Sequence, residues 1–165
     1  MASDPCTQYP TLDPLRVLVI DAHPAVGLGL VRLVGIMPGL QTWGLASGGA
    51  DGVEQAAATR PDVVLVDAEL PHDATPATIR QLRACLPLAR VVALGLYPDR
   101  RAAMLAAGAH AFVLKDAGFE ALRAAIVAGS LGDATGCPTQ PAGRASKRDI
   151  DSDSASVRTP GSVLR

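Results

Sequence analysis

Hydrophobic positions along this chain alternate between two patterns. Short, unbroken apolar runs are each followed by a longer stretch in which apolar residues recur every three or four positions. "VLVI" at Val17–Ile20 is the first run, with three β-branched residues out of four. A run apolar at every position suits a strand buried on both faces. Pro24 then suits the first turn of a helix, where its missing N–H is no loss. Val26, Leu30, Leu33, Val34 and Met37 follow at helical spacing until "PGL" ends the stretch. The unit recurs along the chain. "LQTWGLA" predicts a second, weaker strand and "ADGVEQAAATR" a short helix ending before Pro61. "DVVLVD" is the strongest strand pattern, and "PATIRQLRACL" places Ile79, Leu82 and Leu86 on one helical face. "RVVALGL" predicts a fourth strand, before a helix over Arg100 to Ala107 capped by Gly108. "AFVLK" and "FEALRAAIVAG" complete the series, with Phe119, Leu122 and Ile126 facing inward.

Strands that each lead into a helix imply a parallel sheet covered on both faces. Right-handed crossovers then restrict the topology to a doubly wound α/β sheet. Residues 1–14 read as a loose lead-in, residues 15–129 as the domain, and residues 130–165 as a disordered tail rich in Gly, Pro, Ser, Thr and Asp.

Composition narrows the functional classes. Of the 165 residues, 48% are hydrophobic and 19% charged, with a net charge of −1. That balance carries no basic footprint for nucleic acid, and no direct nucleic-acid contact is expected. No apolar run approaches the roughly 20 residues that span a bilayer, so no membrane partner is expected. The first residues lack the basic and apolar regions of a secretory signal. Cys6, Cys85 and Cys137 are odd in number and far apart, which argues against a disulfide framework or a zinc knuckle. A cytoplasmic location is the default expectation.

The chemistry gathers at strand ends. In a doubly wound sheet, ligands bind outside the carboxyl ends of the strands. Those ends carry Asp21 after strand 1, Asp67 after strand 3, Gly95 after strand 4 and Lys115 after strand 5. Two carboxylates and an ammonium are therefore expected in one crevice. The bland alternative for each is a loop acid or a helix cap.

Three segments carry a family resemblance: "VLVIDAHPAVGLGLVRLV", "PGLQTWGLASGGADGVEQAAATRPDVVLVDAELP" and "GAHAFVLKDA", the last with Asp116 where other receivers have proline. From Arg16 to Gly129 the chain resembles a response-regulator receiver domain of the NarL/FixJ type. The resemblance implies a CheY-like, flavodoxin-like (βα)5 fold with a role in two-component phosphorelay signalling and transcription regulation. It implies Asp67 as the phospho-acceptor, with magnesium held by an acid pair after strand 1, by Asp67 and by the backbone carbonyl of Glu69. It further implies Lys115 as the phosphoryl-pairing lysine, a Ser or Thr after strand 4, and an aromatic switch residue in strand 5, here Phe112.

Three positions depart from that pattern. Ala22 replaces the second acid, Gly95 replaces the hydroxyl residue, and Leu96 replaces a small residue and is expected to sit over Asp67. Together they imply a pocket in which any magnesium site on Asp21, Asp67 and Glu69 is weak, and no other cofactor is expected. Lys115 is expected to pair with Asp67, leaving Asp21 with a raised pKa. The expected function is an atypical, non-enzymatic receiver that acts by protein contact, a histidine kinase or a second copy of the chain among its partners. The alternatives are a receiver slowly phosphorylated on Asp67 and a flavodoxin-like or nucleotide-binding enzyme. Against the last, no strand-to-helix turn here forms a phosphate cradle.

Other residues have ordinary readings. His23 and His72 fall near the crevice, and a metal site of Asp21, His23, Asp67 and His72 is a minority reading beside surface or packing roles. His110 is expected to be exposed, Trp43 to pack, and Cys85 to be a small packing residue and not a nucleophile. Arg100 and Arg101 open the fourth helix, as a solvated helix start or a partner contact. No helix-turn-helix pair is visible after Ser130, where receivers of this type normally continue into DNA-binding helices.

Overall fold

The computed structural model describes residues 13–129; the expectations for residues 1–12 and 130–165 lie outside it. Five strands and five helices alternate: β1 (Leu15–Ile20), α1 (Pro24–Gly35), β2 (Leu40–Ala46), α2 (Gly49–Thr59), β3 (Val63–Asp67), α3 (Thr75–Cys85), β4 (Arg90–Gly95), α4 (Arg100–Ala106), β5 (Ala111–Leu114) and α5 (Phe119–Val127). All strand pairs are parallel, in the order β2-β1-β3-β4-β5. This is the doubly wound sheet that the hydrophobic pattern predicts. A single 3-10 turn at Pro71–Asp73, between β3 and α3, has no counterpart in that pattern.

The unbroken apolar runs are explained by burial on two sides. Successive side chains on a strand point to opposite faces. Leu18, Ile20, Val64, Val66, Val91 and Ala93 join a core with α2, α3 and α4 through Ala56, Ile79, Leu82 and Met104. Val17, Val19, Val63, Leu65, Val92 and Leu94 join a second core with α1 and α5 through Val34, Leu122 and Ile126. A polar residue at any of these positions would be driven into one core or the other.

β2 is the edge strand and the least apolar. Its register against β1 slips between Val17 and Leu18, so that Thr42 and Gly44 take consecutive partners and Trp43 is passed over. A Cβ on Gly44 would lie 3.0 Å from the Leu18 side chain, which accounts for the glycine in this strand. Trp43 remains partly exposed, and the Arg16 guanidinium lies 5.6 Å from its ring centre. Arg16 also holds Asp62 through Nε and Nη2, so the tryptophan packs within a surface cluster.

His110 is exposed, as expected, yet it has a structural role. Its Nδ1 accepts the N–H of fully buried Val91 at 2.9 Å, while its own backbone N–H donates to the Val91 carbonyl at 2.8 Å. The side chain thereby extends the β4–β5 ladder by one residue. Burial, and then the charges of Arg83 and Arg90, hold the imidazole below its ordinary pKa. His110→Ala leaves the Val91 N–H without a partner and is expected to cost about 1–3 kcal/mol in a denaturant titration at neutral pH. A protonated Nδ1 cannot accept, so the folded state disfavours the charged form. The advantage of the wild type over His110→Ala is therefore full above pH of about 6.5 and shrinks as pH falls below it.

Candidate functional site

Three strand ends build the site, each extended by one further sheet-like hydrogen bond. The backbone N–H of Asp21 donates to Ala46, that of Ala68 to Leu94, and that of Lys115 to Gly95. These bonds carry the sheet's geometry one residue past β1, β3 and β5. They leave Asp21 2% and Asp67 1% exposed. Two carboxylates so far from water need partners.

Lys115 supplies them. Its Nζ lies 3.0 Å from Asp21 Oδ2 and 2.9 Å from Asp67 Oδ1. It does not choose Asp67 over Asp21, as the sequence reading expects, but bridges the two. Burial works against the ammonium, but the two carboxylates outweigh it and raise the Lys115 pKa above its ordinary value. Burial likewise pushes Asp67 upward, yet the hydrogen bonds of Lys115 and Glu69 prevail and hold its carboxyl below the usual range. Asp67 is therefore ionised across the physiological range.

Glu69, whose side chain has no place in the sequence expectation, carries a raised pKa. Burial raises it, and the Asp67 carboxylate adds to the effect against the opposing N–H of Leu96. Glu69 Oε1 accepts that N–H at 3.0 Å, and the Glu69 backbone N–H donates to Asp67 Oδ1 at 3.2 Å. An acid two residues after a buried aspartate is the signal that could have identified it. Thr75 is also absent from the sequence reading. Its buried hydroxyl donates to the Asp67 carbonyl at 2.9 Å and accepts the Leu70 N–H at 3.3 Å, holding the β3–α3 loop closed.

Leu96 lies at the surface beside the site. It is 58% exposed, and what it turns to the site is its backbone N–H. Gly95 and Phe112, by contrast, meet directly. A Cβ on Gly95 would fall 2.5 Å from the Phe112 Cζ and 3.3 Å from the Ala68 Cβ. The ring of Phe112 thus occupies the space that any side chain at position 95 would need. Arg100 binds Asp73 at 2.6 Å, and Arg101 reaches the Phe112 carbonyl at 3.4 Å, so both contact their own domain.

His23 approaches the acids and His72 does not. His23 Nδ1 is 3.5 Å from Asp21 Oδ1 and 3.8 Å from Asp67 Oδ2. Asp21, His23 and Asp67 form one cluster of metal-ligating atoms, without His72. His72 sits in the 3-10 turn at a positive φ of 59°. Magnesium is the ion the resemblance implies, and it demands near-octahedral oxygen coordination. Asp21 and Asp67 would offer such an ion two carboxylates, with none from Ala22, and His23 Nδ1 is the third ligand-type atom beside them.

Comparison with known proteins agrees with this architecture. The family model described as the response regulator receiver domain matches residues 17–127. The response regulator GacA of Pseudomonas viridiflava is 34% identical over 117 residues, covering 68% of this chain and 53% of its own length. The nitrate/nitrite response regulator protein NarL of Escherichia coli K12 is 29% identical over 123 residues, covering 73% and 57%. The chain thus spans about half the length of these relatives. Among solved structures, the signal receiver domain of the putative response regulator NarL from Mycobacterium tuberculosis superposes with a TM-score of 0.66. It is 29% identical and covers 73% of this chain and 99% of that domain. Fold, strand-end residues and family match converge: the chain belongs to the response-regulator receiver domain family, the signalling modules of two-component systems.

Proposed function

We propose that this receiver is atypical: it signals through protein contact, and its α4–β5–α5 face is set by packing and not by phosphorylation of Asp67. The observation that carries the reading is the seating of Phe112 against Gly95. In the family pattern, a hydroxyl residue at position 95 bonds the phosphoryl group, and the aromatic residue follows it inward. Here position 95 has no side chain to move, and Phe112 is already 6% exposed with its ring against the glycine. The same residue lines a surface groove of about 290 Å³ with Pro98, Arg101, Leu114 and Ala121. One ring therefore links the pocket side of β5 to the surface between α4 and α5. A histidine kinase or a second copy of the chain are candidate partners for that surface, and no enzymatic step is assigned to the pocket.

A second reading has its own support. Asp67 is buried, ionised and bound to Lys115, the state a phospho-acceptor needs. Intact mass after incubation with magnesium and acetyl phosphate separates the two. The expected outcome is no phosphoryl increment. An increment present in the wild type and absent from Asp67→Asn would overturn the packing-set reading and establish the second.

The seating of Phe112 has a thermodynamic signature. Gly95→Ala forces a methyl group into the ring and is expected to cost about 1–3 kcal/mol by chemical denaturation. In a Phe112→Ala background the same substitution has room and should cost much less. Equal costs in the two backgrounds would place the ring elsewhere.

A further inference from the structure

We propose that the Glu69 side chain withholds Asp67 from phosphoryl donors by covering Oδ2, the one oxygen of that carboxylate free to attack. This role rests on the reading of the pocket as one not set by phosphorylation, and it names the group that keeps the nucleophile covered.

An ionised carboxylate offers about four acceptor sites, two on each oxygen. On Asp67 Oδ1 both are taken: Lys115 Nζ lies 2.9 Å away, and the Glu69 backbone N–H donates to it at 3.2 Å. Oδ2 is therefore the atom left for nucleophilic attack. It is buried and accepts no hydrogen bond from any N–H among the described residues, and Glu69 Oε2 is buried and equally unpartnered. The two side chains hydrogen-bond each other, and Glu69 Oε1 is already committed to the Leu96 N–H at 3.0 Å. A buried oxygen without a partner is costly. The contact between the acids accordingly falls to Asp67 Oδ2 and Glu69 Oε2, each of which has no other group to meet.

Glu69 is held there from two ends. Its backbone follows the buried end of β3, and its carboxyl is tied to the β4–α4 loop through the backbone of residue 96, whatever side chain that residue carries. His23 also stands beside Oδ2, with Nδ1 3.8 Å away on a side chain that is 65% exposed. That distance is beyond hydrogen-bond reach, and an exposed side chain can turn aside. Glu69, bound through its carboxyl, has no such freedom. Phosphoryl transfer requires Oδ2 to attack phosphorus while the bond from phosphorus to the donor oxygen breaks and that oxygen leaves with the electron pair. The reacting atoms must approach to roughly 3–3.5 Å with their orbitals aligned. A carboxyl group hydrogen-bonded to the same oxygen holds that approach closed.

The test incubates the full chain and three variants, Glu69→Ala, Glu69→Gln and Leu96→Ala, with magnesium and acetyl phosphate at one neutral pH. Intact mass follows the phosphoryl increment with time, and a thermal transition verifies that each variant folds. Glu69→Ala should gain the increment at least about tenfold faster than the wild type, the rate equivalent of one hydrogen bond to a charged group. Adding Asp67→Asn to that variant should abolish the gain. Glu69→Gln should stay at the wild-type level, because its Oε1 can accept the Leu96 N–H while Nε2 donates to Asp67 Oδ2. Leu96→Ala should stay there too, since the anchor is backbone. Glu69→Ala no faster than the wild type, or Glu69→Gln as fast as Glu69→Ala, would overturn the covering role while leaving the packing-set function standing. An increment on the wild type would overturn that function, and the ratio of Glu69→Ala to wild type would still decide the role of Glu69.

Discussion

The contact on which this pocket depends is one ammonium between two buried carboxylates. Asp21 ends β1, Asp67 ends β3, and Lys115 follows β5, at opposite sides of the sheet's centre and 94 residues from first to last. Neither acid keeps enough contact with water to remain charged unaided. Lys115 is drawn inward by both and fixes the carboxylate planes by engaging one oxygen of each. The remaining oxygens lie toward His23 Nδ1, at 3.5 Å and 3.8 Å. The pocket's charge balance and the orientation of its acids are thus two consequences of the same bridge.

A second constraint is steric. In the family pattern, an aromatic ring follows a movable hydroxyl inward. This chain has no hydroxyl there, and the close-packed interior fills the space with the ring. Displacing Phe112 would open a void against Gly95 and expose a ring that is now buried. The contact between Phe112 and Gly95 is one of close packing. Phe112 also lines the groove beside α4 and α5.

The same bridge sets the charge balance of the pocket. With alanine at position 22, Lys115 faces two buried carboxylates. Burial and the Asp67 carboxylate together raise the pKa of Glu69 beside them.

The sequence by itself determined the elements and the place where the chemistry would be. Unbroken apolar runs imply strands buried on two sides, and every predicted strand and helix appears close to its expected bounds. Asp21, Asp67 and Lys115 were legible because a parallel sheet brings its strand ends to one edge. Tertiary structure alone decided how these groups share their partners. Lys115 bridges both acids, Glu69 carries the raised pKa, Leu96 faces solvent, His110 extends a ladder, and Phe112 fills the space at Gly95. The reason is one of scale. Periodicity reports which face of an element is buried, a property that survives shifts of an ångström or more. A hydrogen bond or a ligand atom depends on tenths of an ångström between side chains from different strands, and that distance exists only once the sheet has closed.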